Sequence, residues 1–266
     1  MTELTGYGDR VGEPPGRPLA ERDAAVAELV TDPAAVRAAL ESDEYTMPPV
    51  DQSADTGMAW LRAAVARFSD GTTHIRRRGC VVDLLATLDP GRLRAQAYDR
   101  AVEALASTVD PSAIARSVPI GVLARALGVH SDLTPAVAAA ARCYLPHTQP
   151  DPEADAAVAA LVAAFGGAAD EPTAARIGLL MQACEATAAL IAGARVADTV
   201  EAALRRDPPV RRTRRMQGDR EVHLDLTTLP FGAGRHACPG REHAIAIATG
   251  VVDALRDARA GRTQPG

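Results

Sequence analysis

Apolar residues recur at three- and four-residue spacing along most of this chain, the period of an amphipathic helix. The stretches "DPGRLRAQAYDRAVEALAS" (89–107), "PIGVLARALGV" (119–129) and "LTPAVAAAARCYL" (133–145) carry it, and a Pro-rich break, "PHTQPDPEAD", precedes a further helix in "AAVAALVAAFGG". "TDPAAVRAALES" opens with Thr-Asp-Pro, which suits a helix start because the acid can cap free amides and proline lacks one to lose. "MAWLRAAVARFSDGTTHIRRR" predicts two helices parted at Asp70-Gly71. Residues 172–207 predict one long helix, with Gly193 its weak point and Pro208-Pro209 its end. The period shortens only in "VRRTRRM" and "EVHLDL", the plausible strands. Residues 1–20, rich in Gly and Pro, predict a loose arm. No internal repeat or clean linker divides the chain, so a single domain over residues 1–266 is expected.

Composition supports a helical reading. Of 266 residues 47% are hydrophobic and only 3% aromatic, with alanine abundant and β-branched runs few. The net charge of -5 weighs against nucleic acid as a partner. No stretch matches an uninterrupted membrane span or a secretory leader, so a cytoplasmic protein without membrane attachment is expected. The four cysteines, Cys80, Cys143, Cys184 and Cys238, form no CxxC pair and read as free thiols.

Chemistry concentrates in "LPFGAGRHACPGREHAIAIATGVVDAL" (229–255). Cys238 stands at the mouth of a predicted helix, where free amides and the helix dipole favour a thiolate. Pro239 suits the first helical position, and Gly234 and Gly240 would let backbone approach the sulfur. One sulfur without companion ligands suits an axial haem position better than zinc, which needs four ligands. A buried structural thiol is the plain alternative.

Phe231, Gly234, Cys238 and Gly240 match F-x-x-G-x-x-x-C-x-G, and the chain thereby resembles the cytochrome P-450 haem-thiolate monooxygenases. The resemblance runs in family order: His74 and Arg78 as the H-x-x-x-R pair of helix C, "LMQACEATAALI" as the oxygen-binding helix I, "VEAALRRDPPVRRTRRM" as helix K with its following strand, and the cysteine loop before helix L. It implies a mainly α, orthogonal helical P-450-like fold, reduced in size, with few short strands. It implies haem b, with Cys238 as the proximal iron ligand and with His74, Arg78, Arg214 and His236 meeting the propionates. Glu185 and Thr187 are the catalytic candidates on helix I, and segments 47–54 and 181–190 the distal wall.

Three departures stand out. Ala186 occupies the position of the first helix I threonine, leaving Thr187 one step on. Ala202 replaces the glutamate of E-x-x-R, with Glu201 and Arg205 adjacent. The segments between helices I and K, and before the cysteine loop, are much shortened. The implied function is oxidation of a small organic, specialised-metabolite substrate, with a ferredoxin-type redox partner docking near Arg235 and Arg241. The alternatives are a catalytically degenerate auxiliary that stabilises a biosynthetic partner enzyme, and a haem enzyme of peroxide-driven or redox-neutral chemistry. A homodimer could cover the missing wall.

Overall fold

The computed structural model describes residues 28–263, so the expected arm at 1–20 lies outside the described residues. Ten helices and a small sheet follow in the order β1 (Glu28–Val30), α1 (Pro33–Glu41), β2 (Tyr45–Thr46), α2 (Gly57–Ala64), α3 (Gly71–Ala86), α4 (Pro90–Ser107), α5 (Pro111–Ala126), α6 (Thr134–Ala141), α7 (Pro152–Ala164), α8 (Glu171–Ala197), α9 (Val200–Arg206), β3 (Arg212–Gln217), β4 (Arg220–Asp225) and α10 (Arg241–Thr263). Asp-Pro starts recur for a physical reason. Asp32, Asp89, Asp110 and Asp151 each accept a hydrogen bond from a first-turn amide, and a proline follows each of them.

α8 runs through the helical core, packed against α5, α3 and α10. It is long and apolar enough to cross a membrane, but half of that stretch is buried in the fold. Ile177, Leu180 and Ile191 are fully buried, each contributing about 1.5–3 kcal/mol of transfer free energy. Its first turn is clamped to α3 by Glu171, which accepts from both Arg76 and Arg77 at 2.7–2.8 Å. These bonds hold the Glu171 carboxyl down at about 2.

The long helix expected over 172–207 is two helices. The break falls at Asp198, in the left-handed region at φ 67°, followed by Thr199, whose hydroxyl caps α9 through Ala202 N. Gly193 stays helical and faces Ala203 across the α8–α9 contact. α4 and α10 approach most closely at Gly250. A Cβ there would sit 2.2 Å from the Arg94 carbonyl oxygen, so Gly250→Ala is expected to cost about 1–3 kcal/mol by overpacking. Chemical denaturation of the variant measures it, and an unchanged midpoint would contradict the close approach.

The sheet has the order β1-β4-β3-β2, with β1 and β4 parallel and the remaining pairs antiparallel. β1 and β2 were too short to be read from the sequence. β3 and β4 form a hairpin through Gly218-Asp219, with Gln217 opposite Arg220 and Arg215 opposite Val222. Val222, Leu224 and Leu226 pack with Val36 and Leu40 of α1 in a smaller core of their own.

Candidate active site

A cavity of about 260 Å³ lies between the two cores, walled by α3, α8, β3 and the cysteine loop. Along α8 the lining residues are Leu179, Gln182, Ala183, Ala186, Thr187 and Leu190, one helical face at i, i+3, i+4, i+7, i+8 and i+11. Thr187 is buried on that face. Glu185 is exposed on the outer side, near the Cys184 thiol. Of the two catalytic candidates, Thr187 therefore faces the cavity and Glu185 does not. Two residues turn an α-helix by about 200°, so both cannot face one site. Of the expected distal segment 47–54, Met47 reaches the cavity wall.

The cysteine loop is a tight hairpin. Cys238 N donates to Phe231 O at 2.8 Å, and Gly234–His236 form a single 3-10 turn. Phe231 sits at φ 73°, costly for an aromatic residue, with its side chain on the cavity wall and the Arg241 guanidinium 5.6 Å over its ring. Gly234 is required for a reason other than the sulfur: at φ 65°, a Cβ would meet Leu40 O of α1 at 2.4 Å. α10 begins at Arg241 with Gly240 O accepting its first bond, so Pro239 precedes the helix.

Cys238 is exposed, and it is the cavity that it is exposed to. The surrounding protein desolvates the thiol and pushes its pKa up, while the Gly240 amide and the charges of Arg67 and Arg78 act the other way. Gly240 thus serves the sulfur with a hydrogen bond.

Basic side chains gather beside it. His74 is buried and stacks on His236, ring centroids 4.0 Å apart. Burial, reinforced by the charges of His236 and Arg78, pushes the His74 pKa down to about 4. Burial likewise lowers His236, against its hydrogen bond to Asp70 at 3.3 Å. Arg78, one turn beyond His74 on α3, donates to Ala237 O at 2.8 Å.

The strand arginine facing the cavity is Arg215, which corrects the expectation for Arg214. Arg215 is 4% exposed and lines the cavity with Thr213, whereas Arg214 points outward to Glu221 at 3.3 Å. Strand alternation decides this, since Thr213 and Arg215 pair with the inward-facing Leu224 and Val222. The hairpin was the signal: a two-residue turn at Gly218-Asp219 fixes that register. Arg215 bonds only neutral oxygens, Thr213 Oγ1 at 2.7 Å and Arg214 O at 2.8 Å, and burial lowers its pKa to about 10. Asp70 is near it but is engaged by His236, Arg235 and the Met47 amide.

Other expectations also shift. Arg235 is held inside by Asp43, Ser42 O and Tyr45 O, so it is no open docking charge; Arg241 is exposed. Arg205 and Glu201 are exposed on α9, consistent with the shortened segments that would otherwise cover them. Arg67 and His243 line the cavity unanticipated, whereas Gln182, Ala183, Ala186, Thr187 and Leu190 belong to the expected distal segment 181–190. His243 Nε2 reaches Leu85 O and Leu88 O at the end of α3, a tie between α10 and α3 that no local pattern announces.

The residues fit a haem. A thiol with an amide aimed at it stands beside a buried arginine without a carboxylate and two histidines whose pKa values burial lowers, in a cavity whose remaining wall is largely apolar. A dicarboxylate would offset that buried charge.

No family model and no curated protein sequence matches the chain. Solved structures do. P450BioI in complex with an acyl carrier protein ligated to hexadec-9Z-enoic acid superposes with a TM-score of 0.68 at 16% identity, covering 86% of this chain and 84% of that one. The cytochrome P450 enzyme CxnD, for C–S bond formation in chuangxinmycin biosynthesis, gives 0.65 at 16%, covering 86% and 79%. Cytochrome P450 260B1 of Sorangium cellulosum So Ce56 gives 0.62 at 18%, covering 86% and 81%. With its helix order, its small sheet and a cysteine loop against the α8 cavity, this chain has the fold of the cytochromes P450.

Proposed function

We propose that the chain is a haem-thiolate oxidoreductase, a monooxygenase of small organic substrates. The observation that carries this reading is the Cys238 sulfur on the wall of an α8-lined cavity that also holds Arg215, a buried cation hydrogen-bonded only to neutral oxygens, and the stacked His74–His236 pair. Cys238 would supply the sulfur that holds the haem iron. His74, Arg78, Arg215 and His236 would receive the propionates through charge-assisted hydrogen bonds. Bound there, haem b would supply dioxygen-dependent oxidation, the thiolate donating electron density to the iron. Ala183, Ala186 and Leu190 exclude water from the α8 side, and the Thr187 hydroxyl is the group on that face able to hold and pass a proton.

Specialised-metabolite oxidation is the favoured setting, as in the CxnD neighbour. A ferredoxin-type protein is the proposed electron donor, and a carrier protein, as named for P450BioI, a possible means of substrate delivery. The shared cavity between the helical core and the sheet core supports reading the chain as one domain.

The test is the absorption spectrum of the purified chain, reduced under carbon monoxide. A strongly red-shifted Soret band is expected, and a colourless preparation would overturn the proposal. One observation favours a second reading, a non-catalytic auxiliary: α8 brings no carboxylate to the cavity, its acid facing outward. Bound haem without product, either with a reductase or with hydrogen peroxide, would select that reading; product with peroxide alone would select the peroxide-driven one.

A further inference from the structure

The cavity wall carries an arginine that the reading above does not use. Among the described residues lining it are three arginines and three histidines, and no aspartate or glutamate. Four of these six are engaged by the reading above, and His243 is committed to the end of α3. Arg67 is left. It lies in the short turn between α2 and α3, with its guanidinium 5.9 Å from the Phe68 ring centroid. Its hydrogen bond runs to α8, Nη1 donating to Gln182 Oε1 at 3.3 Å. No carboxylate among the described residues pairs with it, and Gln182 is itself fixed on its helix by donating Nε2 to Gly178 O at 3.0 Å.

We infer that Arg67 anchors the substrate, and that the substrate is an organic carboxylate with an apolar body. This rests on the haem-thiolate reading and adds the substrate's chemical class. A single guanidinium presents a planar fork that matches one carboxylate, and a neutral amide beside it can donate or accept without adding charge. A dianion such as a phosphate ester would call for a second cation, and the neighbouring ones serve the propionates. From Gln182, where Arg67 meets α8, the face continues as Ala183, Ala186 and Leu190, an apolar track past Thr187. A carboxylate held at Arg67 therefore directs the rest of the molecule along that track, and Arg67 sets which carbon reaches the reacting centre.

The experiment compares decanoate with decanol, identical in chain but not in charge, by calorimetric titration of the full chain. Soret absorbance per chain is recorded in parallel. Wild type is expected to bind decanoate at least about tenfold more tightly, the order of one charge-assisted hydrogen bond. Arg67→Gln is expected to bring the two within about twofold, Arg67→Lys to keep part of the preference, and all three chains to hold equal haem. Equal binding of both probes by wild type, binding of neither, or a preference surviving Arg67→Gln would each overturn the inference. So would loss of haem in Arg67→Gln, which would make Arg67 a propionate partner. A colourless wild type that still prefers decanoate through Arg67 would instead remove the haem reading and leave the anion site standing.

Discussion

A Cys238→Ala chain is expected to lose the red-shifted carbon monoxide band entirely while keeping its fold. The spectral effect should be all or none because no other thiol can substitute. Among the described residues lining the cavity Cys238 is the one cysteine, and Cys143 and Cys184 are buried in the helical core. Burial, with the Glu185 carboxylate beside it, further raises the Cys184 thiol to about 11. Truncation at Cys238 removes no core contact, since the side chain faces the cavity. The hairpin bond from the residue 238 amide to Phe231 O involves backbone alone and survives. Circular dichroism and the thermal midpoint should therefore change little. The propionate partners remain, so some porphyrin should still bind, with an unshifted band. A variant that retains the red-shifted band would rule Cys238 out as the ligand. Cys80→Ala, altering a thiol on α3, is the matched control and should behave as wild type.

The second large effect is on stability. Arg62→Met is expected to cost about 3–5 kcal/mol, a drop in midpoint of roughly 6–20 °C for a domain of this size. Arg62 is 7% exposed on α2, and its guanidinium is spent on one loop. It donates to the carbonyls of Cys143, Tyr144, Leu145 and Thr148, and to Thr148 Oγ1, with 2.8 Å to both Leu145 O and Thr148 O. Burial pulls its pKa down, offset by the nearby Cys143 and Asp155. Methionine fills similar volume but leaves those carbonyls without their donor, each unsatisfied group costing about 1–3 kcal/mol where water cannot reach. The damage should extend toward the site. Tyr144 packs on Phe68 with ring centroids 5.2 Å apart, and Phe68 lies two residues before Asp70, the partner of His236. Urea denaturation measures the loss, and one below about 1 kcal/mol would mean that solvent replaces the arginine.

Which parts of this were legible depended on whether the signal was local. Helix starts were, because an Asp-Pro pair states its chemistry within two residues, and so was the cysteine loop. The α8–α9 break was not sought where it falls: Asp198 adopts a left-handed backbone without glycine, although Thr199 is a capping residue in plain view. At the site, the residue types expected were sound but their phase was not. Arg214 and Arg215 are adjacent, and only the hairpin register separates the inward from the outward one. Glu185 and Thr187 were both taken as catalytic candidates, although the helix sets them on nearly opposite sides. Arg67 had no signal at all, since an arginine in "VARFSD" reads as a solvated side chain until α8 is placed against it.

The sheet has a consequence for the order of assembly. Its parallel pair joins Glu28–Val30 to Val222–Leu224, almost two hundred positions later. A contact of that sequence separation closes slowly, because the entropy of so long a loop is lost before any ladder bond forms. During synthesis the helices from α2 to α8 can pair with near neighbours as they emerge, while β1 must wait for the hairpin. The β3 side of the pocket, with Arg215 on it, is then the last part to form, and a porphyrin would be captured only once nearly the whole chain has been made.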